Sequence, residues 1–188
     1  MTSEKLVIGL TGMPGAGKSI IVKVAKERGY KIVVMGDEVR EEAEKRNMEP
    51  TPENLGRIML ELRRMEGEPV IAKRCIPKIE KAMQQKVVVD SVRSLSEVEE
   101  FEKYFSRFIL IAVHASPETR FKRLFRRKRS DDPKSWEIFH ERDVRELTVG
   151  LGNAIAMAKY VIVNEGELKS IRDEIRGVLE RIEEKWMK

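Results

Sequence analysis

Cysteine is almost absent from this chain of 188 residues, since Cys75 is the single one. One cysteine excludes an intramolecular disulfide and a zinc site built on several thiolates of one chain, and it fits a reducing compartment. Long apolar runs are also missing, because the longest, Phe108 to Val113, is far shorter than the roughly 20 residues that span a bilayer. The polar N-terminus does not resemble a signal peptide. We therefore expect a cytoplasmic protein with no membrane partner.

Histidine is equally scarce, and His114 and His140 are the only two. With so few histidines and cysteines, the sequence does not assemble a serine-hydrolase or cysteine-protease set of catalytic residues. Charge is abundant instead: 37 lysines and arginines face 32 aspartates and glutamates, which leaves a net charge of +5. That surplus is modest for a nucleic-acid-binding protein, and it would equally suit a substrate that carries phosphates.

Five short apolar runs, rich in β-branched residues, predict buried strands of a parallel sheet. They are Leu6–Leu10, Lys31–Val34, Val87–Val89, Phe108–Val113 and Tyr160–Val163. Helix signals separate the runs, including N-caps at Thr51 and Ser116, each followed by proline, and a capping box from Ser94 to Glu97. The alternation predicts one α/β domain over residues 1–188.

A glycine-rich segment follows the first predicted strand: Gly12-Met13-Pro14-Gly15-Ala16-Gly17-Lys18-Ser19. It matches the phosphate-loop motif G-x-x-x-x-G-K-S/T at every fixed position, and a predicted helix follows it as the mechanism requires. The glycines let backbone N–H groups turn toward a phosphate, and the helix N-terminus adds partial positive charge. Lys18 is expected to bridge the β- and γ-phosphates of ATP, and the Ser19 hydroxyl to bind Mg²⁺. A glycine turn that binds nothing is disfavoured because motif and context agree.

Two further segments resemble those of adenylate kinases. Val34-Met35-Gly36-Asp37-Glu38-Val39-Arg40 resembles their T-G-D-x-x-R segment, and Val89-Asp90-Ser91-Val92-Arg93 resembles D-G-x-P-R. The basic helix at 120–127 is similar to the helix that enters their lid, and 158–166 is similar to the last strand and loop of small P-loop kinases. Over nearly its full length, the chain resembles an archaeal group of adenylate-kinase-related P-loop proteins.

The resemblance implies the P-loop NTPase fold, with a five-stranded parallel sheet of order 2-3-1-4-5 flanked by helices. It also implies an acceptor-binding helical insertion over 37–86 and a lid segment over 126–146. The long connections at 36–86 and 115–159 agree with both, because long connections in a compact sheet fold commonly cover the substrate. Within the first of them, Pro77 predicts a kink or a break in a helix at 70–84.

Roles on the acceptor side follow from the same resemblance. Arg40 and Arg93 would hold the acceptor phosphate, since a guanidinium can bind phosphate oxygens in pairs. Asp37 would join them in binding the substrate, and Asp37 and Asp90 would orient water around Mg²⁺ beside Ser19. Two alternatives stay open: Asp37 could only cap a helix beginning at the next residue, and Arg40 could be a solvated helix residue.

Roles on the donor side are implied for the lid helix and the last loop. Arg123 and Arg127 would reach the triphosphate, and the loop that begins at Asn164 would contact the base. The basic helix could instead be a solvated surface or an RNA-binding patch. The catalytic set implied is Lys18, Asp90, Arg93 and Arg127.

Three departures from adenylate kinases concern the acceptor. Met35 replaces the threonine before Gly-Asp, Ser91 and Val92 replace a glycine and a proline, and Glu97 stands where a glutamine commonly reads adenine. We therefore expect an ATP-dependent phosphotransferase that acts on a small phosphorylated, nucleotide-like acceptor, and these departures weigh against AMP. The alternatives are a dephospho-coenzyme A kinase and, from a different class, an adenylate-kinase-like ATPase switch that acts on RNA or in ribosome assembly.

Overall fold

Five parallel strands form one sheet in the order β2-β3-β1-β4-β5, which confirms the predicted fold class. The computed structural model describes residues 3–129 and 132–187. The strands are β1 (Leu6–Thr11), β2 (Lys31–Val34), β3 (Lys86–Asp90), β4 (Phe108–His114) and β5 (Tyr160–Val163). All five predicted runs form strands, and three of them are longer than predicted by one or two residues.

Helices follow each strand and cover both faces of the sheet. They are α1 (Lys18–Glu27), α2 (Met35–Lys45), α3 (Pro52–Glu66), α4 (Val70–Glu80), α5 (Leu95–Tyr104), α6 (Pro117–Arg127), α7 (Trp136–Thr148), α8 (Leu151–Ala156) and α9 (Leu168–Trp186). The predicted N-caps are confirmed, because the side chains of Thr51, Ser94 and Ser116 each accept a hydrogen bond from the backbone N–H three residues later.

The central strand β1 separates two apolar cores, and all six of its residues are buried. Val7 belongs to the core that includes Ile58 of α3 and Phe101 of α5. Ile8 belongs to the opposite core, together with Ile21 of α1 and Ile175 of α9. Alternation of side chains between the faces of a strand accounts for the split, and near-continuous apolarity is what a strand buried on both faces needs.

The strand register brings the predicted functional segments to one edge of the sheet. Leu10 pairs with Asp90, and Thr11 pairs with Ala112. The loops that follow β1, β3, β4 and β5 therefore leave the sheet side by side. In open α/β sheets, ligands bind at this carboxyl edge.

The structure excludes two local interpretations of the sequence. Helix α4 continues through Pro77, so the predicted break is absent, while a kink stays a prediction; Val70, Ile76 and Ile79 hold the helix in the core on both sides of Pro77, each at most 4% exposed. That burial outweighs the hydrogen bond that the proline cannot donate. Helix α2 begins at Met35 with Val34 as its N-cap, so Asp37 lies inside the first turn and does not cap the helix.

Candidate functional site

The phosphate loop connects β1 to α1, and its backbone requires glycine at specific positions. Gly12, Gly15 and Gly17 have φ values of 143°, 82° and 104°. A Cβ at Gly12 would lie 2.4 Å from the carbonyl oxygen of Val113, so β4 packs directly against the loop. Only glycine adopts these angles without strain and permits so close an approach. The loop is therefore fixed in a curved form whose backbone can surround an anion.

Lys18 lies at the start of α1, where charged side chains from three elements converge. Its Nζ donates a hydrogen bond to the carbonyl oxygen of Gly12 at 2.5 Å. Burial lowers the pKa of Lys18 from 10.5 to about 8, although the nearby carboxylate of Asp90 opposes that shift. Arg93 and Glu146 also act on the pKa of Lys18 through their charges. The neighbouring Ser19 is exposed at the mouth of the loop.

Two of the residues predicted to contact the donor support the loop from behind. The Asn164 amide donates to the carbonyl oxygen of Ala16 at 2.7 Å, and Arg123 Nη1 donates to the same oxygen at 3.3 Å. Arg123 Nη2 also donates to the backbone oxygen of Asn164 at 2.9 Å. Asn164 is 3% exposed, so the structure places its side chain beneath the loop and leaves none of it at an open binding face. Both residues brace the Ala16–Gly17 peptide.

A buried ion pair that the sequence did not indicate joins the loop to α6 and α7. Arg120 donates to both carboxylate oxygens of Asp143, from Nη1 at 2.8 Å and from Nη2 at 2.5 Å. Arg120 Nη1 also donates to the carbonyl oxygen of Pro14 at 3.2 Å, and its Nε donates to that of Ala115 at 3.2 Å. Arg120 is 3% exposed, and its guanidinium lies 4.9 Å from the ring centroid of Phe139. Its role in the described structure is to hold three elements together.

The end of α6 carries Arg127, which was predicted to reach the triphosphate. Its Nε and Nη2 donate to the Asp132 carboxylate at 3.0 and 2.5 Å. This guanidinium holds the pKa of Asp132 below its ordinary value. The predicted lid segment, 126–146, comprises the end of α6, the turn at Asp132 and most of α7, while residues 130 and 131 lie outside the described residues.

On the acceptor side, Asp90 ends β3 and Arg93 follows two residues into the next loop. Ser91 has a φ of 77°, where the related motif has glycine, and it donates a hydrogen bond from its hydroxyl to Asp90 at 3.3 Å. The N–H groups of Ser91 and Val92 both donate to the carbonyl oxygen of Leu10, at 3.1 and 2.9 Å. The turn after β3 is thus bonded to the strand that leads into the phosphate loop.

Two carboxylates contact Arg93. Glu97 accepts a hydrogen bond from the Arg93 backbone N–H at 2.7 Å, and Glu146 of α7 lies 3.3 Å from Arg93 Nε. The other oxygen of Glu97 pairs with Arg63 of α3 at 2.7 Å. Glu97 is 1% exposed and Arg63 is 6% exposed. The Glu97 carboxylate is therefore committed on both oxygens, which removes it as a reader of a guanine or adenine edge.

Asp37 and Arg40 pair with each other in α2. Arg40 Nη1 donates to Asp37 Oδ1 at 2.6 Å, and more than half of each side chain is exposed. An exposed pair of this spacing contributes about 0.3–0.5 kcal/mol to helix stability, so a competing anion could displace it at small cost. This placement is compatible with both the functional role and the solvated surface role that the sequence left open.

The sequence of this chain is similar to a described domain family and to individual proteins. A family described as AAA domain matches residues 11–140, which is more than half of the chain. A UPF0200 protein of Hyperthermus butylicus is 48% identical over 180 residues, covering 96% of both proteins. Another, from Methanocaldococcus jannaschii, is 46% identical over 179 residues, covering 94% of this chain and 90% of the relative. The chain belongs to the UPF0200 family.

Solved kinase structures share the fold of this UPF0200 chain. A gluconokinase from Sinorhizobium meliloti 1021 has a TM-score of 0.60 at 15% identity, covering 97% of this chain and 96% of that one. A shikimate kinase from Acinetobacter baumannii in complex with shikimate has a TM-score of 0.59 at 17% identity, covering 98% and 96%. At these identities, the likeness establishes a P-loop, kinase-like fold and nothing about the acceptor.

Beside the phosphate loop, the described residues offer a metal single oxygens and no cluster of carboxylates. Within residues 3–129 and 132–187, no three histidine, cysteine, aspartate or glutamate side chains form a group that could hold a metal ion. Mg²⁺ does not require such a cage, because it keeps several waters and is held by one or two protein oxygens together with phosphates. The Ser19 hydroxyl and the Asp90 carboxylate supply oxygens of that kind. The donor set therefore fits Mg²⁺ bound together with a nucleotide.

Sequence reasoning missed Glu146, Arg63 and Asp143 because each acts through a partner distant in the chain. In the described part of the chain, no helix is both long and apolar enough to cross a membrane.

Proposed function

We propose that this protein is an ATP-dependent phosphotransferase that moves the γ-phosphate of MgATP to a small phosphorylated, nucleotide-like acceptor. One observation carries the proposal. The turn that carries Asp90 and Arg93 is bonded to the strand that leads into the phosphate loop, because the N–H groups of Ser91 and Val92 donate to the Leu10 carbonyl oxygen at 3.1 and 2.9 Å. This places both residues beside the loop that ends at Lys18. A donor-binding lysine and an acceptor-binding arginine at one point are what transfer between two bound phosphates needs.

Each side chain has one task in this reaction. The loop amides and Lys18 bind the β- and γ-phosphates, and a phosphate oxygen takes the place of the Gly12 carbonyl as partner of Lys18. Bound Mg²⁺ would neutralise charge between those phosphates, with Ser19 and Asp90 holding the ion or its waters. Arg93 and Arg40 would hold the acceptor phosphate in line. An acceptor that is itself a phosphate requires no general base, so the transfer is direct and forms no covalent enzyme intermediate.

The lid contribution rests on α6 and α7. Arg127 would have to exchange Asp132 for an oxygen of the triphosphate, whereas Arg123 would act through the loop that it braces. In this proposal, Arg127 leaves the Asp132 carboxylate for the more highly charged triphosphate when ATP binds.

The test is transfer of label from γ-labelled ATP, with Mg²⁺, to AMP, GMP, CMP, UMP and dephospho-coenzyme A. We expect label on one acceptor, abolished by Lys18→Ala and strongly reduced by Arg93→Ala. Lys23→Ala is the matched control, because Lys23 is exposed on the same helix as Lys18. Label that appears only as free phosphate with every acceptor would contradict the kinase proposal.

A second candidate is a nucleotide-driven switch that acts on RNA, with slow ATP hydrolysis. It is favoured by the exposed basic side chains at the end of α6, which are Lys122, Arg126, Lys128 and Arg129. It is also favoured by Glu97, whose two oxygens are already occupied. ATP hydrolysis that no small acceptor changes, and that single-stranded RNA accelerates, would establish this candidate. Salt-sensitive RNA binding alone would not, because any basic surface produces it.

A further inference from the structure

Arg93 is held at both ends by carboxylates from different elements. At its backbone, the N–H donates to Glu97, which lies four residues later in the first turn of α5. At its side chain, Nε lies 3.3 Å from a carboxylate oxygen of Glu146, near the end of α7. The bond at the backbone fixes where the Arg93 side chain begins, and the ion pair at Nε restricts its rotamers before a ligand binds.

The backbone end of this arrangement is anchored in the protein interior. Glu97 is 1% exposed, and its second oxygen accepts a hydrogen bond from Arg63 of α3 at 2.7 Å. Arg63 is itself 6% exposed, and its Nε makes no hydrogen bond within the described residues. A buried guanidinium with one unused donor is costly, and the ion pair with Glu97 is the contact that offsets this cost for Arg63. It holds Glu97, and Glu97 fixes the loop at Arg93.

The contact at the Arg93 side chain is more exposed than the contact at its backbone. The Glu146 side chain is 17% exposed, whereas the Arg93 side chain remains 40% exposed. Glu146 contacts the guanidinium through Nε, and the exposed part of the group stays accessible to an anion. Glu146 also lies close enough to Lys18 to raise the pKa of that lysine, so it borders the donor phosphates as well.

We propose that Glu146 is a positioning residue that orients the Arg93 guanidinium toward the acceptor phosphate, with Glu97 and Arg63 fixing the backbone beneath it. This inference rests on the function proposed above, in which Arg93 binds the acceptor. It assigns to α7 a part in acceptor binding that neither the motifs nor the family resemblance gives it. It also accounts for a carboxylate placed beside an anion site, where charge alone would be unfavourable.

The first experiment uses enzyme kinetics to decide whether Glu146 positions Arg93 for the acceptor or competes with the acceptor for Arg93. In the transfer assay, Glu146→Ala is expected to raise KM for the acceptor by about two- to fivefold, the range for loss of a partly exposed ion pair. KM for ATP should change less than KM for the acceptor. Glu146→Gln should recover little of the loss, because the glutamine keeps the size of the side chain and not the charge that pairs with Arg93. Glu141→Ala, an exposed change on the same helix, is the matched control.

The second experiment measures exchange of the Arg93 Nε–Hε proton with water, and it needs no acceptor. In ¹⁵N-arginine-labelled protein, the Nε–Hε signal of Arg93 is identified by its disappearance in Arg93→Lys. We expect this proton to exchange with water more slowly in the wild type than in Glu146→Ala, with Glu146→Gln between them. Thermal unfolding of each variant shows that it is folded.

Each result of the two experiments either supports or overturns the inference about Glu146. A lower acceptor KM in Glu146→Ala would mean that Glu146 competes with the acceptor, and it would overturn the inference. An Nε–Hε signal unchanged in Glu146→Ala would overturn it too. If no acceptor is phosphorylated while the signal responds as expected, the proposed function fails and the restraint on Arg93 stands.

Discussion

Removing the Asp143 carboxylate tests whether the buried ion pair with Arg120 holds the phosphate loop to α6 and α7. In Asp143→Ala, the Arg120 guanidinium loses its two shortest contacts, at 2.8 and 2.5 Å. It keeps two backbone acceptors, the carbonyl oxygens of Ala115 and Pro14, both at 3.2 Å. Because Arg120 is 3% exposed, water cannot take the place of the lost carboxylate without opening the packing.

The expected loss of stability is large for a single substitution. Truncating one partner of a buried ion pair costs about 3–5 kcal/mol, because the other charge stays buried and uncompensated. At about 2.1 cal/mol/K per residue, the unfolding entropy of 188 residues is about 0.4 kcal/mol/K. The Tm of Asp143→Ala should therefore fall by about 8–13 °C. MgATP affinity should fall as well, since Arg120 also binds the loop at Pro14.

Thermal unfolding followed by circular dichroism measures this effect, with two comparison variants. Asp173→Ala removes a carboxylate from an exposed pair with Arg176 at 3.0 Å, and it should lower the Tm by about 2 °C or less. Arg120→Met combined with Asp143→Leu removes both charges and should recover most of the lost stability. The reasoning is refuted if Asp143→Ala is no worse than Asp173→Ala, or if the double variant is no better than the single one.

Three further predictions concern the loop and its surroundings. In Gly17→Ala, the new Cβ would lie 2.1 Å from the Asn164 amide at a φ of +104°, so MgATP binding measured by calorimetry should be lost; Gly56→Ala, where nothing lies within 4 Å, should bind normally. Because burial lowers the pKa of Lys18 to about 8, its ammonium is lost above that pH, and the Kd for MgATP should rise by up to about tenfold per pH unit. The same Kd should stay level in Lys18→Arg, and a level wild-type profile from pH 7 to 9.5 would contradict the assignment. Hydrogen bonds from the start of α6 lower the pKa of Glu165 from 4.5 to about 2, so its stabilising effect is complete above pH 4.5 and is lost as the pH falls toward 2. The Tm difference between the wild type and Glu165→Gln should shrink over that range, whereas a constant difference would argue against these bonds.

The sheet and the loop were predictable because each signal is local. A β-branched run such as Lys86–Asp90 has few alternatives to a buried strand, and its neighbours along the chain supply the crossover helices. The N-cap at Thr51 depends on a backbone N–H three residues away. In each case, the residues that interact lie within one turn or one strand of each other.

The ion-pair partners of the charged residues were not predictable from the sequence, because too many pairings are possible. Arg63 finds Glu97 across 34 positions, and Arg120 finds Asp143 across 23. In a chain with 69 charged side chains, 37 basic and 32 acidic, many such pairs are possible, and only the packing of α3 on α5 and of α6 on α7 selects among them. Asn164 shows the same dependence on the fold, because the orientation of its side chain, inward onto Ala16, depends on the backbone of the phosphate loop.

The helical insertion between β2 and β3 has a consequence for how acceptors are told apart. Helices α2, α3 and α4 contribute Val39, Ile58 and Ile76 to the same core as Val87 and Val89 of β3. A segment that shares its interior with the sheet cannot swing outward as a separate body without exposing that interior. If the acceptor binds where we propose, its half of the site is rigid and is formed before any ligand arrives. A rigid site excludes a poorly fitting acceptor at the binding step. Poor acceptors should therefore differ from good ones in KM far more than in kcat.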